Sequence, residues 1–400
     1  MTDAANGAPA AGTHENPDRF PTRLFAIYYL FYASQAIYNT YLNLYLTDVG
    51  VSQPRIGMIV SVSTLCLLAA QPFWGNVSDR AKNKTAVLRL MLLGGALTVG
   101  IFYFSTNFWF LMFAVSLFAV FYVPTAPILD NHSLELLEHS RWNFGHVRMG
   151  GTVGYAITVF AAGFFFRERY GDIFWMTAAL LTACLLLALS LPHVRGYRTG
   201  ARKTPYREIL KNKKMIALIG FSLAFYLGQN FYNNFYLIYF RSIGGTNAQI
   251  GLLMFAAAAA EVPCLLFMGR LIRRFGVQRI LICAGLVTAV RWLLLFLLKD
   301  PAAIILANAL HGFGFTAFSY GIITYIGEHV PKDLRATGQS LNSLVSNVFS
   351  RVIFGYVGGL ASAWFGTDAI MLVSCVIITA ATAAFALWNR KSEKAEAEAA

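Results

Sequence analysis

Residues 31–50 read FYASQAIYNTYLNLYLTDVG and residues 225–244 read FYLGQNFYNNFYLIYFRSIG. At a shift of roughly 194 positions, Phe31, Tyr32, Gln35, Tyr38, Asn39, Tyr45 and Gly50 fall on Phe225, Tyr226, Gln229, Tyr232, Asn233, Tyr239 and Gly244. The register persists beyond these segments, carrying Ile56, Gly57, Gly75 and Arg80 onto Ile250, Gly251, Gly269 and Arg274. One register held over such a length marks a duplicated unit. The surroundings of the two copies are apolar. The 400 residues are 57% hydrophobic and 13% charged, with mean hydropathy +0.56. A soluble domain is about 45–50% apolar and about 25% charged, so this chain has too few charges to cover a water-facing surface. It reads as an all-α integral membrane protein. A Rossmann core, a P-loop domain and any sizeable extramembrane domain are excluded.

Apolar runs occupy residues 22–46, 55–75, 85–104, 107–136, 147–166, 172–191, 215–240, 247–269, 279–298, 302–328, 337–363 and 368–388. A span needs about 20 residues, so these predict twelve transmembrane helices. The hydrophilic stretch 193–214 divides them into six-helix bundles at 22–192 and 215–389, flanked by a disordered tail at 1–21 and a second tail at 390–400. The stretch carries Arg195, Arg198, Arg202, Lys203, Arg207, Lys211, Lys213 and Lys214 against Glu208. Basic residues also collect at Arg80, Lys82, Lys84, Arg270, Arg273, Arg274, Arg279, Lys332, Arg335, Arg390, Lys391 and Lys394, whereas the opposite loops hold Arg55, Arg167, Arg169, Arg241 and Lys299. That asymmetry predicts both termini and the linker in the cytoplasm, with the protein in the plasma (inner) membrane. It accounts for the net charge of +13 without nucleic acid, although a polybasic linker would also suit anionic headgroups. The first 20 residues contain no apolar signal region. Cys66, Cys184, Cys264, Cys283 and Cys375 lie in apolar runs without metal-ligand spacing, so neither a metal nor a cofactor is expected.

Within this frame three groups of residues carry chemistry. Gln35, Tyr38 and Asn39 stand at i, i+3 and i+4, as do Gln229, Tyr232 and Asn233, so each trio shares one helix face. Amides are poorly placed against lipid, which leaves two roles for them: lining a central cavity or bonding between helices. The loops Gly75-Asn76-Val77-Ser78-Asp79-Arg80 and Gly269-Arg270-Leu271-Ile272-Arg273-Arg274 repeat a glycine followed by charge. The glycine would allow close helix approach, and Asp79 would hold a partner helix through charge-assisted hydrogen bonds. Charges inside spans are few: Asp130, Arg148, Glu261, Arg291 and Arg351, with His311 as a titratable neutral. Each charge costs at least about 2.5–3.5 kcal/mol at a helix centre, so they are expected in pairs or along a watery path. Asp130 and Arg148 are expected to meet across a turn near Ser140–Gly145.

The duplicated six-helix layout resembles that of major facilitator transporters, and the Gly75 to Arg80 loop resembles their loop motif. Asp130, then Arg141 to Tyr155, is similar to the segment around helices four and five of the lactose permease and its oligosaccharide–proton symporter relatives. That resemblance implies an acid and an arginine, here Asp130 and Arg148, binding sugar hydroxyls, with Tyr155 stacking on the ring. Asp130 stands where the family has Glu, and Tyr155 where it has Trp. Ala260-Glu261-Val262, Val290-Arg291-Trp292, Leu310-His311-Gly312 and Tyr325-Ile326 resemble the bacterial phenylpropionate permease group more closely. Arg291 and His311 match proton-coupling positions of the lactose permease, whereas its coupling glutamate and eleventh-helix lysine correspond here to Gly314 and Asn347, with Arg351 one turn further on.

The resulting expectation is a monomeric secondary transporter, a proton-coupled importer of a small sugar-like, nucleoside or aromatic-acid solute. Its partners would be that solute, a proton and the bilayer. Asp130, Arg148, Tyr155, Gln35, Tyr38, Asn39, Gln229, Tyr232 and Asn233 would form the solute site. Glu261 would carry the proton with Arg291, His311 and Arg351, and Gly75, Asp79, Arg80, Gly269, Arg273 and Arg274 would form the gate. A drug or metabolite exporter of the same fold is the rival, followed by a membrane enzyme or a non-transporting sensor. A permanent structural partnership between Glu261 and an arginine is the alternative for that residue.

Overall fold

The computed structural model describes residues 20–138, 140–166, 170–194, 209–331 and 334–399. The amino-terminal tail before Phe20, linker residues 195–208, Arg167, Arg169 and Lys332 lie outside the described residues. The described chain is a succession of helices without strands. Taken as continuous rods these are α1 (Thr22–Asp48), α2 (Gln53–Arg80), α3 (Lys84–Tyr103), α4 (Phe108–Leu136), α5 (Phe144–Phe165) and α6 (Asp172–Ala188). They continue as α7 (Lys213–Ser242), α8 (Asn247–Phe275), α9 (Val277–Leu297), α10 (Pro301–His329), α11 (Thr337–Phe365) and α12 (Thr367–Ala399). The last helix runs through the segment expected as a tail.

Nine helices among the described residues are long and apolar enough to cross a membrane. The three outside that set are α1, α5 and α6. The first two carry the amides, tyrosines and glycines of the interior, which dilute their hydropathy, and α6 is only 17 residues long. Large apolar side chains lie bare on the outside, among them Leu97, Leu266 and Leu306. An apolar surface of that extent belongs in lipid, and the chain is a multi-pass membrane protein. Exposed Tyr103, Trp109, Trp175 and Trp364 gather at the ends of α3, α4, α6 and α11, as an interfacial aromatic belt does.

The duplication is visible in the backbone. Gly50 and Gly244 both adopt positive φ, at 84° and 92°. In each copy a 6→1 hydrogen bond closes the helix, from Val51 N–H to the Leu46 carbonyl at 2.9 Å and from Gly245 N–H to the Phe240 carbonyl at 3.0 Å. A side chain in that left-handed position is strained, which is why the repeat keeps glycine there. Helix packing is duplicated too. α1 packs on α5 and α6 as α7 packs on α11 and α12, and α2 packs on α4 as α8 packs on α10. The halves meet through α2 with α11 and α5 with α8.

The copies differ in two helices. Residues 38–42 of α1 are ordinary α-helix, whereas Tyr232–Tyr236 of α7 form a π-helical segment, and a second one spans Ser343–Val348 of α11. A π segment adds a residue to the turn and re-aims the side chains around it. Both segments lie beside the space between the halves.

Candidate functional site

A cavity of about 360 Å³ lies between the halves. Gln35, Tyr38, Asn39 and Asn43 of α1 and Tyr155 of α5 line it from one side, with Tyr122 of α4. Asn230, Asn233 and Asn234 of α7 and Arg351 of α11 line it from the other. The wall is completed by aliphatic residues of α2 and α4, including Ile59, Val60 and Val115. Of the expected solute residues, Gln35, Tyr38, Asn39, Tyr155 and Asn233 therefore share one cavity, while Asp130, Arg148, Gln229 and Tyr232 stand outside its wall.

Asp130 and Arg148 do approach across the turn between α4 and α5, where Asn143 caps α5 by accepting the His146 N–H at 3.2 Å. They do not form the direct pair that their spacing suggests. Two tyrosines of α1 intervene. The Tyr28 hydroxyl donates to Asp130 at 2.7 Å, Arg148 donates to the Tyr32 hydroxyl at 2.6 Å, and the two rings stack with centroids 6.4 Å apart. The Arg148 guanidinium lies over the Tyr32 ring at 3.9 Å. Gly151 makes this possible, because a Cβ there would lie 2.7 Å from both Arg148 and Tyr32. Gly150 and Gly154 likewise admit the backbone of α1 at Phe25 and Tyr29. A signal for the tyrosines was present in the sequence: Tyr28, Tyr32, Gln35 and Asn39 recur at helical spacing on one face of α1.

The carboxy-terminal half holds a second cluster. Arg291 of α9 is only 1% exposed. Its Nε and one terminal nitrogen donate to Asn308 Oδ1 at 3.1 and 2.9 Å, the other terminal nitrogen reaches Gln229 Oε1 at 3.5 Å, and the guanidinium covers the Tyr232 ring at 4.2 Å. The Tyr232 hydroxyl donates to the same Asn308 oxygen at 3.0 Å, and Asn308 anchors itself to the Leu253 carbonyl at 3.0 Å. Gln229 donates in turn to Asn233, which faces the cavity. Asn308, the hub, was not anticipated. A lone amide in an apolar run was its only sequence signal.

Glu261 meets neither Arg291 nor Arg351. Its carboxylate stands 3.5 Å from His311 Nε2, and both side chains are partly open to the surroundings. Asn308 already occupies Arg291, and Arg351 projects into the cavity from α11.

The two ends of the molecule are unlike. At the end away from the chain termini the halves are locked together. Asn43 donates to the Asn234 carbonyl at 2.9 Å, Ser61 to the Val352 carbonyl at 2.7 Å, and Tyr170 to Asn247 at 2.6 Å. Gly57 lies against the Gly355 carbonyl with no room for a Cβ, and a Cβ on Gly163 would meet the Gly251 backbone at 2.9 Å. At the terminal end Asp79, Arg80, Arg273 and Arg274 are exposed. The expected tight approach at Gly75 is absent, since a Cβ there would meet nothing within 4 Å, and one on Gly269 would make only ordinary contacts. The close glycine contacts thus lie at the opposite end from the loop motifs.

The sequence matches the MFS_1 like family over residues 22–373. It is 26% identical over 367 residues to a maltose permease of Geobacillus stearothermophilus, covering 90% of this chain and 91% of that one. It is 23% identical over 366 residues to the multidrug resistance protein MdtG of Klebsiella pneumoniae, covering 86% and 87%. The crystal structure of a variant of the nucleoside transporter NupG superposes with TM-score 0.83 at 18% identity, covering 92% of this chain and 98% of that one. With a family match over most of its length, the chain belongs to the MFS_1 like family and is a major facilitator transporter, not an enzyme.

Proposed function

We propose that the chain is a proton-coupled secondary transporter that imports a small polar solute by alternating access. In this reading α1, α5 and α6 cross the bilayer with the nine helices above, giving twelve spans with both termini in the cytoplasm. The observation that carries the reading is the amide- and tyrosine-lined cavity between the halves, locked at one end and parted at the other. At about 360 Å³ it lies at the lower end of the roughly 300–1,000 Å³ typical of small-molecule sites. That size suits a sugar-like, nucleoside or aromatic-acid solute. In this reading the parted end, which carries the basic loop residues, faces the cytoplasm and the conformation is inward-facing. Asp130 and Arg148, joined through Tyr28 and Tyr32, flank the exit path. The similarity to MdtG supports the second reading, an exporter, but six amides lining so small a cavity favour a selective site over a forgiving one.

Glu261 is the proton carrier in this scheme, with His311 at 3.5 Å as its relay or hydrogen-bond partner. The test is Glu261→Gln in proteoliposomes. This nearly isosteric change should preserve exchange of labelled for unlabelled solute while abolishing accumulation driven by a pH gradient. Undiminished accumulation would remove Glu261 from the mechanism. Orientation is tested separately with single cysteines at Thr199 and Asn107 in a background free of native cysteines. An impermeant thiol reagent should label only Asn107→Cys in intact cells, and labelling of Thr199→Cys would reverse the topology.

A further inference from the structure

We propose that the cavity takes a small polyhydroxylated carboxylate, a sugar acid in chemical class, and that Arg351 binds its carboxylate. The inference deepens the transporter reading and rests on it. Among the residues lining the cavity Arg351 is the sole formal charge, and it has neither an ion-pair nor a hydrogen-bond partner among the described residues. Every other intramembrane charge is occupied: Asp130 by Tyr28, Arg148 by Tyr32, Arg291 by Asn308 and Glu261 by His311. An uncompensated guanidinium at such depth is costly and marks a ligand site, and its planar fork matches a carboxylate.

The position of Arg351 is built, not incidental. Asn230 of α7 donates to the Asn347 carbonyl at 3.2 Å and to the Ser350 hydroxyl at 2.7 Å, pinning the turn of α11 that precedes it. The π-helical segment Ser343–Val348 runs into that turn, and Gly355 one turn later is wedged against Gly57. Opposite stands Tyr38, 5% exposed, whose hydroxyl has no hydrogen-bond partner although its ring is packed 4.5 Å from Phe118. A buried phenol without a partner, in the wall of a cavity with a free guanidinium, describes a subsite awaiting an acceptor. The remaining polar wall includes Gln35, Asn39, Asn43, Asn233 and Asn234, with the hydroxyls of Thr40, Ser63, Tyr122 and Tyr155. Amides offer both donors and acceptors, which suits hydroxyl groups.

Binding to the full-length protein in detergent is measured with matched probes: D-glucuronate against D-glucose, D-gluconate against sorbitol, and uridine as an uncharged reference. At least one acid should bind tenfold or more tightly than its neutral counterpart. Arg351→Gln should weaken that acid about ten- to hundredfold and erase the preference, whereas Arg351→Lys should retain part of it. Tyr38→Phe, which removes a hydroxyl that bonds to nothing in the protein, should weaken the acid severalfold without changing the melting temperature. The inference falls if no acid outbinds its neutral partner in wild type, or if Arg351→Gln keeps the preference. Proteoliposome uptake separates this failure from that of the transporter reading. Uptake of glucose or uridine unaffected by Arg351→Gln would leave a transporter with a neutral solute, with Arg351 pairing with an acid in another state. Uptake of none of the five probes would count against both.

Discussion

The two halves share a backbone plan and differ in where they keep their arginine. In the amino-terminal half Arg148 sits on the fifth helix, half-buried over Tyr32, with Asp130 reached through Tyr28. In the carboxy-terminal half Arg291 sits on the third helix of the repeat, sealed at 1% exposure and held by Asn308, Gln229 and Tyr232. The first arrangement leaves its arginine partly exposed, and the second satisfies a charge entirely with neutral groups. Even the matched tyrosines diverge: Tyr38 has a free hydroxyl beside the cavity, whereas Tyr232 donates to Asn308. Duplication preserved the parts that determine helix packing, Gly50 with Gly244 and Gly57 with Gly251. The polar side chains around the two arginines then diverged, although both halves still contribute residues to the cavity wall.

This contrast can be broken by substitution. The largest effect is expected at Asn308. In Asn308→Ala, Arg291 Nε, an Arg291 terminal nitrogen and the Tyr232 hydroxyl all lose one shared acceptor, and unsatisfied buried donors cost about 1–3 kcal/mol each. Thermal unfolding should show a loss of about 3 kcal/mol or more, visible as poor recovery of monodisperse protein. Wild-type melting would show that the carboxy-terminal cluster is not a structural keystone. An intermediate effect is expected at the glycines shared by both halves. Gly57→Ala and Gly251→Ala insert a Cβ against backbone at the locked end, and such overpacking costs about 1–3 kcal/mol. Each should move the population towards the state parted at that end, by about 5- to 150-fold, read by cysteine accessibility across the gap. A shift in only one variant would show that the two seams are not equivalent. The smallest effect on stability is expected at Asp130. In Asp130→Asn an oxygen remains to accept from Tyr28, so unfolding should change by less than about 1 kcal/mol while solute transport is lost. Retained transport would make Asp130 and Arg148 bystanders.

Much of the scaffold was legible because it depends on local rules: helical apolar runs, a left-handed glycine at two helix ends, and a constant register between copies. The trios at Gln35 and Gln229 were also legible as polar faces. What their side chains touch was not, because a partner depends on the rotation of a helix about its axis and on its neighbours. The π segment at Tyr232–Tyr236 makes the point, since it parts two sequences that look equivalent by carrying Tyr232 to Asn308 and Asn233 to the cavity wall. Tyr28 and Tyr32 came between Asp130 and Arg148 for the same reason: helix spacing brings two charges near without saying which phenols lie between. The loop glycines Gly75 and Gly269 looked like close-contact residues, yet the contacts in this conformation lie at Gly57, Gly163, Gly251 and Gly355. A sequence carries the requirements of all conformations at once, whereas a structure displays one.

The central claim is that the two ends open in alternation around the cavity and that protonation of Glu261 biases the exchange. Distances between spin labels at Ser52 and Ser242, at the locked end, and at Lys82 and Arg279, at the parted end, measure it directly in proteoliposomes. Between alkaline and acid buffer the two distances should change in opposite senses, and Glu261→Gln should remove the response. Distances that stay fixed, that lengthen together, or that respond undiminished in Glu261→Gln would contradict the account.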